Sequence, residues 1–265
     1  MAEKHLLKDK VAIVTGAGAG IGRATAEEFA KEGAKVMIAE LREDRGIQVA
    51  REIADQSGAE VRAHCTDVRD EDQIKHCIDA TVEAFGHIDI LINNASKIEM
   101  CPALEMTTEF YEEIMRNNAT SMVIFSREAA KQMVKQGDGG SMVFLSSIHA
   151  SLSEPSCSAY TAAKGAIEAY ARTLATELAP HKIRVNMIQP GATYTELTTP
   201  MYTEPVKRSL FERVTLKEIA QPEWIARGIV FLASDESRYM VGETLVMDGG
   251  YRMDGSLPGA KYWKE

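Results

Sequence analysis

The sequence predicts a doubly wound α/β sandwich: a seven-stranded parallel sheet with helices on both faces. Three observations predict it. Short apolar runs alternate along the chain with longer amphipathic ones, the pattern of strands and crossover helices. The short runs are nearly continuously apolar, as strands buried on two sides are. The first of them leads directly into a glycine-rich turn.

Residues 11–15 (VAIVT) form a β-rich run. Residues 20–32 follow as a helix, with Ile21, Ala24, Phe29 and Ala30 near one face. A second strand at 36–39 precedes a helix at 42–56, and a third strand at 60–65 precedes a helix at 71–85. In that helix Ile74, Cys77, Ile78, Thr81, Val82 and Phe85 are spaced by three and four. A fourth strand is read at 88–92, and residues 109–136 read as one or two helices. Strands at 141–145 and 183–188 flank a long Ala-rich helix at 158–179. A helix at 223–233 and a last strand at 243–247 complete the alternation. Residues 192–221 lack clear periodicity, and a segment of that length is expected to be a mobile substrate loop or lid. With no Pro/Ser-rich linker or low-complexity tract, 1–265 reads as one domain.

Composition removes several classes of function. Against 30 Lys and Arg stand 39 Asp and Glu, a net charge of -9, which disfavours nucleic acid as a partner. No apolar run approaches the ~18 residues of a membrane span. The start of the chain, Met1-Ala2-Glu3-Lys4-His5, lacks the apolar core of a secretory leader. Cys65, Cys77, Cys101 and Cys157 form no C-x-x-C pair and are too few for a disulfide scaffold. A reduced, cytoplasmic setting without a metal site is expected.

The turn after the first strand is Thr15-Gly16-Ala17-Gly18-Ala19-Gly20-Ile21-Gly22. It is T-G-x-x-x-G-x-G, and the strict G-x-G-x-x-G pattern is not met. Its chemistry is the same: glycine lets the backbone approach a phosphate, and the next helix points free N–H groups at the anion. Glu40 ends the second strand, 18 residues past Gly22. A carboxylate there accepts hydrogen bonds from both adenosine-ribose hydroxyls and repels the extra phosphate of NADP. Leu41 and Ala19 beside it are not basic, and Arg42 lies one step further. The cofactor expected is NAD.

Tyr160 and Lys164 open the long helix at spacing i, i+4, on one face. A tyrosine acting as base at neutral pH needs its phenolate stabilised, and a neighbouring ammonium is expected to lower its pKa. Ser146 and Ser147 end the preceding strand, at the carboxyl edge where α/β sheets bind ligands. Asn117 and Asn118 sit in mid-helix, where asparagine is a poor helix former. A buried amide there is suited to ordering a water beside Lys164. Asn93-Asn94-Ala95-Ser96 ends the fourth strand at the same edge.

These residues resemble the short-chain dehydrogenase/reductase family, the single-domain type with a Rossmann-like fold. The likeness runs from about Leu7 to Tyr251 and includes T-G-A-G-A-G-I-G, Asp67-Val68, N-N-A-S, S-S-I-H, Y-T-A-A-K, Pro190-Gly191 with Thr195, and V-M-D-G-G. The resemblance implies Ser147, 13 residues before Tyr160, as catalytic serine, Tyr160 as acid/base, Lys164 as ribose-binding partner and Asn118 as the family asparagine. It further implies that Gly16, Gly20, Ile21, Glu40, Asp67, Val68, Asn94 and Ala95 line the adenosine and pyrophosphate side. Pro190, Gly191, Thr193 and Thr195 would hold the nicotinamide amide. Ser96 departs from the usual glycine after N-N-A. Relatives are commonly homotetramers, and the tail (252–265), with Tyr262 and Trp263, is expected to dock on a neighbouring subunit.

Substrate-side candidates are Ser96, Met100, Cys101, His149, Cys157, Tyr194, Leu197, Met201, Tyr202, Leu210 and Phe211. This largely apolar set suits a bulky secondary alcohol or ketone, hydroxysteroid-like or bile-acid-like. A sugar or polyol, a 3-oxoacyl thioester, and a non-catalytic dinucleotide-sensing scaffold stay open as alternatives.

Overall fold

A computed structural model describes residues 5–253 of the chain. The strands are β1 (Val11–Thr15), β2 (Lys35–Glu40), β3 (Val61–Cys65), β4 (Ile90–Asn93), β5 (Gly140–Leu145), β6 (Ile183–Pro190) and β7 (Thr244–Met247). They form one sheet in the order β3-β2-β1-β4-β5-β6-β7, and every pairing is parallel. Ile13 pairs with Met37 on one side and with Leu91 on the other. The chain winds outward from β1 to β3, then returns to β4 on the opposite side of β1. The connections therefore diverge at the carboxyl ends of β1 and β4 and open a crevice there.

The helices are α1 (Gly20–Lys31), α2 (Glu43–Ser57), α3 (Glu71–Phe85), α4 (Thr108–Met115), α5 (Ser121–Gln136), α6 (Ser158–Leu178), α7 (Glu204–Arg213) and α8 (Pro222–Ala233). Successive strand residues face opposite layers. Val11 and Ile13 of β1 pack with α3, α5 and α6, whereas Ala12 and Val14 pack with α1, α2 and α8. This two-sided burial is why the central strands carry no polar alternation. Asp70 shows how local chemistry sets an element's end: its side chain accepts from the N–H groups of Asp72 and Gln73 and starts α3.

Two expectations need correction, and one left open is resolved. β3 (VRAHC) is not a continuous apolar run: its residues are half-buried or exposed, because it is an edge strand with one neighbour. The helical stretch 109–136 is two helices joined by a π turn, Arg116–Thr120, in which the Ser121 N–H donates to the Arg116 carbonyl. Residues 192–221 are not structureless: they hold a 3₁₀ turn, Thr199–Met201, and α7. α7 starts with Pro205 in its first turn and has no fully buried residue, so little core periodicity marks it in the sequence. The docking expected of residues 255–265 lies outside the described residues.

Candidate active site

A cleft of about 870 Å³ opens along the carboxyl ends of the central strands. At one end β1 closes with Thr15. Its hydroxyl donates to the Ile92 carbonyl (3.2 Å) and accepts from the N–H groups of Asn94 (2.9 Å) and Ala95 (3.0 Å). The Asn94 amide donates back to the Thr15 carbonyl at 2.7 Å. Gly16 then turns away at φ +63, a left-handed conformation that favours glycine. α1 begins at Gly20, and no side chain caps its first turn among the described residues. Its N–H groups and positive dipole end are thus available to an anion.

Glu40 closes β2 beside this turn and is 9% exposed. Oε2 accepts from the Gly18 N–H (3.0 Å) and Oε1 from the Arg42 N–H (3.2 Å). Burial raises its pKa above the usual carboxylate range, and the bond from Gly18 opposes that rise. A Cβ on residue 18 would sit 2.5 Å from Oε2, so only glycine lets the carboxylate rest against the turn. The Arg42 guanidinium lies 3.8 Å from Oε1. Arg45, which sequence reasoning missed, donates from Nε to the Gly18 carbonyl at 2.6 Å and pairs with Glu196. Asp67 and Val68 line the same end, and bonding from Arg69 holds the Asp67 carboxyl below its ordinary range. Gly16, Gly20, Ile21, Asn94, Ala95, Pro190, Gly191, Thr193 and Thr195 all line the cleft.

At the other end Ser147, Tyr160 and Lys164 meet. Ser147 follows β5 and starts a 3₁₀ turn, Ile148–Ala150, its hydroxyl accepting from the His149 N–H at 3.1 Å. Tyr160 and Lys164 are stacked one turn apart on α6, with Nζ 5.5 Å from the ring centroid. Nζ donates to the Leu145 carbonyl at 2.7 Å. The lowered tyrosine pKa expected from the sequence is not found. Burial pushes the Tyr160 phenol up to about 12, against an opposing hydrogen bond with Ser147. The same burial pushes the Lys164 ammonium down to about 7, with Glu168 opposing. Both groups are desolvated, and desolvation disfavours each charged form more strongly than the pair of groups compensates.

Asn118 is buried in the π turn and does not line the cleft, whereas Asn117 does. The Asn118 Oδ1 accepts from the Lys97 N–H (2.7 Å) and the Ser96 hydroxyl (3.2 Å), and Nδ2 donates to the Lys97 carbonyl (2.7 Å). It therefore fixes the segment after β4. Of the substrate candidates, Ser96, Met100, His149, Cys157, Leu197, Met201, Tyr202 and Leu210 line the cleft. Tyr194, Cys101 and Phe211 do not. Tyr194 instead packs edge-on to Tyr202 at 5.6 Å. The His149 Nδ1 is buried with no hydrogen-bond partner. Glu154, Val206 and Tyr251 also line the cleft and lay outside the candidate site residues. All four cysteines are free. Among the described residues no three His, Cys, Asp or Glu side chains gather to hold a metal, and no helix is long and apolar enough to cross a membrane.

A crevice at the reversal of strand order, with an uncapped helix N-terminus over glycines, is where doubly wound α/β folds bind a nucleotide. The family model described as enoyl-(acyl carrier protein) reductase matches residues 16–252. A short chain dehydrogenase/reductase of Aspergillus oryzae is 37% identical over 94% of this chain and 97% of that one. An L-rhamnose 1-dehydrogenase (NAD(P)(+)) of Azotobacter vinelandii is 37% identical over 92% of this chain and 97% of its own. Among solved structures, a 7α-hydroxysteroid dehydrogenase complexed with NADH and 7-oxo glycochenodeoxycholic acid superposes with a TM-score of 0.90. It is 30% identical, covering 94% of this chain and 97% of that one. The chain belongs to the short-chain dehydrogenase/reductase family and is an oxidoreductase of small molecules.

Proposed function

We propose that the protein interconverts a secondary alcohol and a ketone with NAD(H), acting on a bulky alicyclic, hydroxysteroid-like substrate. The observation that carries this reading is one cleft with Glu40 at one end and Ser147, Tyr160 and Lys164 at the other. Glu40 is suited to accept from the ribose hydroxyls of NAD, with its oxygens already oriented by two backbone N–H groups. Gly16, Gly20 and the uncapped start of α1 suit the pyrophosphate, and Asp67, Val68, Asn94 and Ala95 the adenosine side. Pro190, Gly191, Thr193 and Thr195 suit the nicotinamide amide. The dinucleotide supplies the hydride acceptor or donor.

The protein's own residues handle the proton and the orientation. The Ser147 hydroxyl holds the substrate oxygen against the Tyr160 hydroxyl. With its pKa raised to about 12, Tyr160 is protonated at neutral pH and ready to give its proton to an oxygen that gains charge during ketone reduction. In the oxidative direction the same phenol must act as base, yet its burial holds the ionised form scarce at neutral pH. Positive charge near the ring, from Lys164 and a cationic ring system, relieves that cost. Oxidation is therefore expected to accelerate with rising pH. Asn118 supports the site by holding the backbone at Ser96 and Lys97.

Met100, Leu197, Met201, Tyr202, Val206 and Leu210 give the substrate end an apolar, adaptable wall. The hydroxysteroid dehydrogenase among the similar structures supports this choice. A sugar substrate is the second reading, favoured by the L-rhamnose 1-dehydrogenase relative and by His149 and Glu154 in the wall. We further read 1–265 as one domain with residues 192–221 as a substrate lid, acting in the cytoplasm as a homotetramer.

Tyr160→Phe tests the mechanism. The variant is expected to bind NADH as the wild type does and to lose turnover by orders of magnitude. Unchanged turnover rejects the role of Tyr160. Bile acids, polyols and acyl ketones assayed with NAD and with NADP test the substrate class and cofactor choice. Turnover of polyols alone rejects the hydroxysteroid reading.

A further inference from the structure

Behind Lys164 lies a polar chain that the proposed reaction does not use. Glu168 is one turn further along α6, on the same face as Lys164. Its Oε1 accepts from the Ser146 hydroxyl and from the Gln189 amide, each at 2.5 Å. Ser146 directly follows β5 and is 3% exposed; Gln189 lies in β6 and is 2% exposed. The Gln189 carbonyl oxygen in turn accepts from Arg252 at 2.5 Å. Arg252 also donates to the Ser151 hydroxyl and is tied to Asp248.

The chemistry of these groups dictates the chain's polarity. A guanidinium only donates and a carboxylate only accepts. The Gln189 amide must therefore face its oxygen to Arg252 and its NH₂ to Glu168. Two neutral donors pin Glu168 at the end of the sheet, next to the residue whose carbonyl receives the Lys164 ammonium. The charged groups around Glu168 are Arg172 of α6 at 3.9 Å, Lys164 one helical turn before it on the same face, and Arg252 by way of Gln189. β5 and β6 present neutral Ser146 and Gln189 to it.

We propose that Glu168 is a positioning residue for the reaction: pinned between Ser146 and Gln189, its carboxylate is the fixed counter-charge facing the Lys164 ammonium. The proposal rests on the reading of Lys164 as partner of Tyr160. Its electrostatic support is that Glu168 opposes the fall in the Lys164 pKa caused by burial. Without that counter-charge Lys164 is more often neutral, and the phenolate of Tyr160 loses stabilisation.

The test titrates Lys164 directly. Lysine carrying ¹³C at Cε is incorporated, and its resonance is followed by NMR against pH, with Lys164→Arg identifying the signal. Glu168→Gln is expected to lower the Lys164 midpoint by about one pH unit. Glu168→Asp, which draws the charge back by one methylene, is expected to lower it less; this variant decides the matter if Glu168→Gln does not fold. A midpoint unchanged in both variants, or lowered more by Asp than by Gln, overturns the proposal. In parallel, kcat/KM for oxidation of cholic acid with NAD is measured against pH. Its acid limb is expected to move up by a similar amount in Glu168→Gln, and an unmoved limb beside a moved midpoint also overturns the proposal. Should the wild type oxidise no alcohol tried, the functional reading fails while the NMR midpoint still decides whether Glu168 faces Lys164 as its counter-charge.

Discussion

Gly18→Ala tests the contribution proposed for Glu40 in cofactor choice. The added Cβ would lie 2.5 Å from Oε2 and 2.7 Å from Cδ of Glu40, where ordinary contact begins at 3.4 Å. The carboxylate must retreat by about 0.9 Å. Its 3.0 Å bond from the Gly18 N–H is then lost, and the oxygens no longer face a ribose in the arrangement that bond fixed. A hydrogen bond to a charged group is worth ~1.5–3 kcal/mol, so NADH binding is expected to weaken about 10- to 100-fold. The fold is expected to absorb the change, because the displaced atoms are the end of a flexible side chain and residue 18 has no positive φ. A Tm drop under ~4 °C corresponds to about 1 kcal/mol in a chain of this size. On the proposed reading NADPH gains nothing from Glu40, so its affinity should change far less. Fluorescence titration of both reduced cofactors, with thermal unfolding as control, measures all three quantities. Equal weakening of NADH and NADPH would refute the reasoning, as would wild-type NADH affinity in the variant.

Other predictions follow from the buried polar groups. Lys164 titrates at about 7 in the fold against an ordinary 10.5. Below pH 7 both folded and unfolded chains hold the proton, and the burial cost is fully present. Between 7 and 10.5 only the unfolded chain holds it, so this group's contribution makes stability rise with pH by about 1.4 kcal/mol per unit. Lys164→Met lacks that slope, and its stability relative to wild type is expected to decline by ~2–3 kcal/mol from pH 7 to pH 9 in urea unfolding. A constant difference would show that Lys164 is not desolvated as described. Asn118→Ala leaves the Lys97 N–H and carbonyl without their partners and is expected to lower stability by ~2–3 kcal/mol, read by chemical denaturation. Asn118→Asp keeps the acceptor but sets a buried carboxylate oxygen against the Lys97 carbonyl, and is expected to cost at least as much; a clearly smaller cost than that of Ala would argue against the hydrogen-bond account.

The central architecture was legible because it is local. The apolar runs placed all seven strands to within a few residues, since β1, β2, β4, β5 and β6 are covered on both sides by helices. Tyr160 and Lys164 were legible for the same reason: four residues on one helix fix their relation before any tertiary contact forms. Arg45 and Glu168 were not, because their meaning comes from Gly18, Glu196, Ser146 and Gln189, which the fold brings from distant parts of the chain. α7 escaped notice because Val206 and Leu210 line the cleft, leaving no core-facing stripe to count. The direction of the Tyr160 shift also lay beyond sequence. Spacing gives proximity to an ammonium, but desolvation depends on everything packed around both groups.

The π turn at Arg116–Thr120 makes the chain's residue count in this region a functional quantity. A single extra position is stored there, which offsets the angular phase of α4 from that of α5. Deleting one residue would convert the stretch into a regular rod and so improve its local hydrogen bonding. It would also rotate Asn118 and all that precedes it by roughly 100° about the axis, away from Ser96 and Lys97. Evolution and engineering alike should thus accept substitutions here far more readily than a one-residue shortening.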